Sequence, residues 1–92
     1  MDTITKEKLS KYFSVTSQAL EKAKVALDQE RLAEAEDFLD MATRYFQDAK
    51  HFEEKGDLVT AFAALNYAHG WLDAGARIKL FKVNDSNLFT VD

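Results

Sequence analysis

The four residues EKGD, at positions 54–57, separate two long stretches of helical pattern. Gly56 is placed to end one helix in the left-handed conformation that glycine adopts at little cost, and Asp57 is a good N-cap for the next helix. Because the connection is so short, the two flanking helices must be antiparallel neighbours. These four residues therefore predict a helical hairpin.

Apolar residues recur at helical spacing on both sides of this turn and again near the start of the chain. The stretch DQER at 28–31 interrupts the pattern and predicts a second short connection. We expect helices at about 5–27, 31–54 and 58–81, followed by a short extended tail at 82–92. This order predicts one all-α domain over 1–92, an up-down-up antiparallel three-helix bundle with the tail packed back on it.

The composition limits the possible classes of function. The 92 residues are 47% hydrophobic and 30% charged, as in a packed domain, and the lack of cysteine excludes disulfides and thiolate metal sites. Twelve basic residues are scattered among sixteen acidic ones, for a net charge of −4, so we expect no nucleic-acid partner. The first thirty residues hold no uninterrupted apolar run, so we expect no signal peptide and no membrane association, and predict a cytoplasmic protein.

The third predicted helix is apolar around most of its circumference. Its broad core face consists of Leu58, Ala61, Phe62, Leu65, Ala68, His69, Leu72, Ala76 and Leu80. A second apolar stripe on the opposite side consists of Ala64, Tyr67, Trp71, Ala74 and Ile78, with Phe81 nearby. Three packed helices leave such a stripe without cover. We expect it to be covered by a second protein chain or by the apolar residues of the tail, which are Val83, Leu88, Phe89 and Val91.

Two glycines interrupt this helix. Gly70 and Gly75 each cost about 1 kcal/mol relative to alanine in a helix interior. Their presence predicts that another group approaches the backbone closely at both positions, either the tail, a neighbouring helix or a ligand.

The run NYAHGWLDAGARIKLF at 66–81 is unusual for a helix. Together with the preceding AKHFEEKGDLVTAFAAL and a terminal LFTV, it resembles a small archaeal family, domain of unknown function 357 (DUF357). The resemblance covers residues from about 38 to 91, and the first helix matches only in character. It implies a compact three-helix bundle, and it brings no activity, substrate or catalytic residue.

Four polar residues lie near one edge of the core face of the third helix, at Asn66, His69, Asp73 and Arg77. One interpretation is a site for an anion or polar ligand, with Arg77 as a fixed charge and His69 as a titratable donor. The other is a local network in which Asp73 accepts hydrogen bonds from both His69 and Arg77.

Other constellations carry less chemistry. Asp48-x-x-His51 is a single pair, whereas metal-binding bundles need several, so we expect no metal and no cofactor. Arg44 and His51 have the Arg-x6-His spacing of HEPN-type helical ribonucleases. Arg44 also lies four residues from Asp40 and from Asp48, as in an exposed ion-pair ladder.

We therefore predict a non-enzymatic protein-interaction or structural module without catalytic residues, whose partner is another protein or a second copy in a homodimer. The candidate interaction or ligand surface consists of Asn66, Tyr67, His69, Trp71, Asp73, Arg77 and Ile78. One alternative is a domain that binds a small ligand through the four polar residues. Another is a HEPN-like ribonuclease.

Overall fold

In the computed structural model, which describes residues 4–90, the chain forms three α-helices. They are α1 at Lys6–Lys24, α2 at Leu32–Glu54 and α3 at Leu58–Arg77, with a 3-10 turn at Gln29–Arg31. The helices form the predicted antiparallel three-helix bundle, in which α2 and α3 share the largest interface. Residues 1–3 and 91–92, among them Val91 of the predicted tail, lie outside the described part of the chain.

The turn between α2 and α3 has the predicted geometry. Gly56 adopts a φ of 81°, and the Asp57 amide donates to the Phe52 carbonyl at 3.0 Å. The Asp57 carboxylate accepts from the Thr60 amide at 3.1 Å, so it caps α3 as expected. Hydrogen bonds from Thr60 hold the pKa of Asp57 below its ordinary value because they favour the ionised carboxylate.

Small residues repeated every seven positions form the seam between α2 and α3. The buried residues of α2 are Ala35, Ala42 and Ala49. Ala61, Ala68 and Gly75 have the same spacing and are buried in α3. Seven residues are close to two helical turns, so each set forms one stripe, and small side chains allow helix axes to approach to about 8 Å. Bulky aromatic side chains are therefore displaced to the two flanks of the seam.

α3 ends earlier than the expected residue 81, because the chain reverses after Ile78. Lys79 adopts a φ of 64°, and the Leu80 amide donates to the Gly75 carbonyl at 2.8 Å, which closes a Schellman-type cap. This turn folds Phe81 back against the helix, where its side chain is 1% exposed. Three carbons of its ring lie within 3.0 Å of the position that a Gly75 Cβ would take, so the close approach predicted at Gly75 is confirmed.

α1 also ends before the expected residue 27, because the segment that follows it pairs with the segment after α3. The Asp28 amide donates to the Leu80 carbonyl, and the Lys82 amide donates to the Ala26 carbonyl, each at 2.8 Å. These bonds form a single antiparallel bridge between Leu27 and Phe81. An extended backbone is required for this pairing, so the helix cannot continue.

A buried carboxylate joins the same two segments. Asp28 is 7% exposed and accepts from the Glu30 amide at 3.0 Å and from Arg31 Nε at 3.1 Å. The bond from the Glu30 amide, followed by the bond from Arg31, holds the pKa of Asp28 below its ordinary value. Arg31 also donates to the Ile78 carbonyl at 2.6 Å. This carbonyl lies at the carboxyl end of α3, where no further helical turn supplies an amide to bond it.

The tail folds back on the bundle as predicted, and it lies between α1 and α3. Its turn is at 85–89, where the Leu88 and Phe89 amides both donate to the Asp85 carbonyl. Leu88 and Phe89 are 8% and 2% exposed and join the apolar cluster that contains Leu72. Lys22 of α1 donates to Asp85 at 2.8 Å, which fixes the turn against the first helix.

This ion pair predicts a pH-dependent contribution to stability. The Lys22 bond, followed by the Asn87 amide, lowers the pKa of Asp85 from its ordinary 3.8 in the folded chain. The contribution is therefore present above about pH 3.8 and is lost as the pH falls through the lowered pKa. We expect Asp85→Asn to lower the urea midpoint at neutral pH and to match the wild type in acid.

The partner residue provides the control for this prediction. Lys22→Gln is expected to give the same loss at neutral pH, and the double variant is expected to lose no more than either single variant. A difference between Asp85→Asn and wild type that stays constant from neutral pH down to pH 3 would contradict the assignment.

Candidate functional site

Two aromatic pairs line the flank of the α2–α3 seam that lies away from α1. The Phe38 and Trp71 rings meet edge to face with centroids 5.0 Å apart, and Tyr45 stacks on Tyr67 at 5.3 Å. In each pair one ring comes from α2 and the other from α3. We call these four residues the aromatic face.

Next to the aromatic face, α3 exposes a row of residues that are mostly small and, with one exception, uncharged. All exposed positions of this helix lie in that row, which we call the exposed strip and which consists of Val59, Ala63, Asn66, Tyr67, Gly70, Ala74 and Arg77. Arg77, at the carboxyl end, is the one charged member. On α1 and α2, by contrast, the exposed positions are polar or charged except Tyr12, Leu32 and Ala33. α3 therefore presents a surface unlike that of the other two helices.

A shallow groove of about 470 Å³ lies where the strip meets the aromatic face. It is lined by Phe38, Asn66, Tyr67, Gly70, Trp71 and Ala74. Apart from its chain neighbours and the backbone of its own helix, no heavy atom of residues 4–90 comes within 4 Å of the position that a Gly70 Cβ would take. Within this part of the isolated chain, the close approach predicted at Gly70 is therefore wrong. Phe38 and Gly70 were not among the predicted site residues. The signal for Gly70 was its spacing from Ala74, because the two are small residues one helical turn apart on the side opposite the core.

The tail does not cover the predicted stripe. Tyr67 and Ile78 stay 63% and 49% exposed, because the bonds of the tail to Lys22 and His69 hold it on the other side of α3. Trp71 is half-buried, and Phe38 of α2 lies against it. Ala64 and Phe81, which the prediction placed in the stripe, are 8% and 1% exposed and belong to the core.

The histidine of the polar group has a structural role in this fold. His69 Nε2 lies 2.7 Å from the Leu88 carbonyl oxygen, and Nδ1 lies 3.0 Å from Thr16 Oγ1. A carbonyl oxygen only accepts, so Nε2 carries the hydrogen, and in the neutral ring Nδ1 accepts from the Thr16 hydroxyl. His69 thus joins α1, α3 and the tail, and both of its ring nitrogens are occupied.

Three of the four polar residues share one pocket, which Arg77 does not line. Asp73 accepts from the Thr90 amide at 2.8 Å and lies 3.7 Å from His69 Nε2, so its closest partner is the tail and not the predicted His69. Asn66, His69 and Asp73 line a pocket of about 290 Å³ between α1 and α3. Arg77 lines a different depression, beside Lys79 and Lys82 at the end of α3. The fixed charge of the proposed ligand site therefore does not line the pocket that the other three residues share.

The ribonuclease pair lies on the solvent side of α2. Arg44 Nε pairs with Asp40 at 2.9 Å and its side chain is 71% exposed. His51 is exposed and packs its ring edge to face with Phe52. Within residues 4–90, no three histidine, aspartate or glutamate side chains are grouped to hold a metal ion. None of the helices that the structure describes is long and apolar enough to span a bilayer.

Comparisons with known proteins bear on the family of the chain. Neither the search of curated proteins nor the search of solved structures found a match. The model of the family described as protein of unknown function (DUF357) matches residues 11–81, which is well over half of the chain. This match includes most of α1, where the resemblance in the sequence was weakest. By its sequence from α1 to the cap that follows α3, the chain belongs to the DUF357 family.

Proposed function

We propose that this chain is a non-enzymatic, cytoplasmic protein-interaction module, and that the groove between the exposed strip and the aromatic face is its docking surface. The proposal is supported by one observation above all: α3 exposes seven positions, of which Arg77 alone is charged, in a chain that is 30% charged. Uncharged surface with aromatic anchors is typical of the centre of protein interfaces.

The residues of the groove have the properties of interface anchors. Tyr67 and Trp71 are large side chains already held by stacking and edge contacts, so they lose little conformational freedom when a partner binds. Gly70 and Ala74 leave the helix backbone accessible between them. A partner side chain or helix can thus reach the backbone of α3.

The competing function, ligand binding through the polar group, has less support. Both ring nitrogens of His69 and both carboxylate oxygens of Asp73 are already hydrogen-bonded within the chain. A polar ligand would have to replace these bonds, which also hold the tail. The aromatic groove needs no such rearrangement.

Site-specific photo-crosslinking tests the docking surface. With p-benzoylphenylalanine in place of Tyr67 and irradiation inside the source cell, we expect one dominant covalent protein adduct. As a control, p-benzoylphenylalanine is placed at Gln47, which is exposed in a groove between α1 and α2, and it is expected to give no dominant adduct.

A second variant shows whether the adduct depends on the groove. Ala74→Glu places a charge in the groove at an exposed helical position, so it should abolish the Tyr67 adduct without unfolding the chain. Equal adduct formation from positions 67 and 47, or an adduct that survives Ala74→Glu, argues that this face is not a docking surface.

A further inference from the structure

We infer that the occupant of this surface is a second copy of the chain, packed through its own α3 in a two-fold symmetric dimer. The inference rests on the proposed function and names its partner. In such an isologous contact each residue of the strip meets the strip of the partner copy, and residues on the axis meet themselves.

The distribution of charge favours a copy of this chain over an acidic or basic partner. Two molecules of net charge −4 repel each other, and this repulsion costs least where the meeting surfaces are uncharged. The exposed strip is uncharged from Val59 to Ala74. A partner selected by opposite charge would find no charged group there to recognise.

The small residues favour a helix as the element that docks. Gly70 costs about 1 kcal/mol in a helix interior. Outside its own helix backbone and chain neighbours, no heavy atom of the described residues comes within 4 Å of its missing Cβ. Gly70 and Ala74 are one turn apart, so a second helix can cross α3 there at close range. A two-fold axis near these residues would bring the least bulky parts of both helices together.

Asn66 supplies a polar group suited to symmetric pairing. It is exposed one turn before Gly70 and lines the groove. A carboxamide both donates and accepts, so two copies of Asn66 can satisfy each other, whereas two carboxylates or two ammonium groups cannot. The strip therefore contains no group that a second strip would leave unpaired at its centre.

The available area is that of a small but specific interface. A helix of 20 residues is about 30 Å long, and the exposed strip of α3 together with the aromatic face beside it is about 20 Å wide, which gives about 600 Å² per copy. This is about a tenth of the 6089 Å² surface of the chain and the lower limit for a specific dimer. We expect a dissociation constant in the micromolar range.

Sedimentation of the purified full chain tests the inference. We expect a concentration-dependent monomer–dimer equilibrium, and we expect Ala74→Glu to weaken it at least about 30-fold, because two like charges would be buried against each other. Gln47→Glu adds the same charge on the α1–α2 side and should leave the dissociation constant unchanged. Unchanged circular dichroism and melting in the monomeric state exclude misfolding of either variant.

The absence of cysteine permits a direct check of geometry. Single cysteines at Gly70 and Ala74 are tested for disulfide-linked dimers under mild oxidation, and at least one of them is expected to cross-link efficiently, because a disulfide requires Cα atoms within about 7 Å. Ser17→Cys, in the groove between α1 and α2, is expected to form no disulfide-linked dimer.

The outcomes separate this inference from the proposed function. A chain that stays monomeric up to millimolar concentration, or a dimer insensitive to Ala74→Glu, overturns self-association through α3. The docking surface itself survives that result if the Tyr67 photo-adduct has the mass of a different protein. If no adduct forms either, both proposals fail.

Discussion

Gly75→Ala is expected to lower the melting temperature by about 10 °C, whereas Gly70→Ala, five residues earlier on the same helix, is expected to raise it by about 5 °C. A methyl group at residue 75 would overlap the Phe81 ring, and Phe81 is 1% exposed in the apolar core. Displacing a buried phenylalanine costs about 3–5 kcal/mol, of which about 1 kcal/mol is recovered from helix propensity. Partial accommodation reduces the net loss to about 2 kcal/mol, or about 10 °C for a domain of this size.

At residue 70 the same substitution meets open space. Only the gain in helix propensity of about 1 kcal/mol remains, which corresponds to about 5 °C. Thermal unfolding should be followed at the lowest practical protein concentration, so that association through α3 does not add to the stability of either protein. Two variants that shift the midpoint in the same direction would contradict the placement of Phe81 over Gly75.

These glycines show what the sequence does and does not specify. Both carry the same local signal, a glycine in an apolar helical stretch, and both predicted a close approach of some other group. The structure provides that group at Gly75 alone, because the chain reverses at Lys79. A lysine in the left-handed conformation has no recognisable signal in the sequence, since glycine or asparagine usually occupies that position.

Helix faces were predictable and helix ends were less so. The turn at Gly56 and Asp57 could be predicted because both residues belong to known capping patterns. The period of α3 continued through Leu80 and Phe81, because these two residues, which follow the reversal at Lys79, are apolar and buried against the bundle. Apolar periodicity indicates which residues are buried, and in this chain the buried residues continue for about one turn beyond the end of α3.

The polar residues of α3 could be identified from the sequence, but their hydrogen-bond partners could not. His69 is joined to Thr16, 53 residues earlier, and to the Leu88 carbonyl, 19 residues later. Contacts between residues so far apart depend on how α1 and the tail pack, and no spacing within α3 specifies them. The sequence pattern therefore grouped His69 and Asp73 on one helix, but their closest hydrogen-bond partners lie in α1 and the tail.

The alanine repeat connects the core to the proposed surface. Because Ala35, Ala42 and Ala49 occupy the seam, the larger rings of α2 cannot lie between the helices and are placed on its flanks. Phe38 then supports Trp71 from the side, which leaves the strip beyond it open. The close packing inside the α2–α3 pair thus produces the aromatic edge of the groove.

Phe89→Ala is expected to cost about 3–5 kcal/mol, which is a large part of the total stability of a domain of this size. Phe89 is 2% exposed in a cluster that contains Ala19, Ala23 and Leu72. Alanine side chains are too short to move into the vacated volume, so the cavity persists and the cost lies toward the upper end of that range. Urea unfolding measures the loss directly, and Val25→Ala, at an 85% exposed position, serves as the control with little change.

The loss should also be visible at His69, because the neighbouring Leu88 carbonyl accepts the Nε2 hydrogen at 2.7 Å. When the tail loosens, the Nε2–H group of His69 donates to water instead of to the Leu88 carbonyl. The ring nitrogen signals of His69 in NMR spectra should therefore shift in Phe89→Ala and stay in place in Val25→Ala. A variant that loses less than about 1 kcal/mol and keeps the His69 signals would show that the tail packs weakly. In that case the packing of the tail on the bundle would contribute little to the free energy of unfolding, and α1 would be held to α3 by the helix contacts alone.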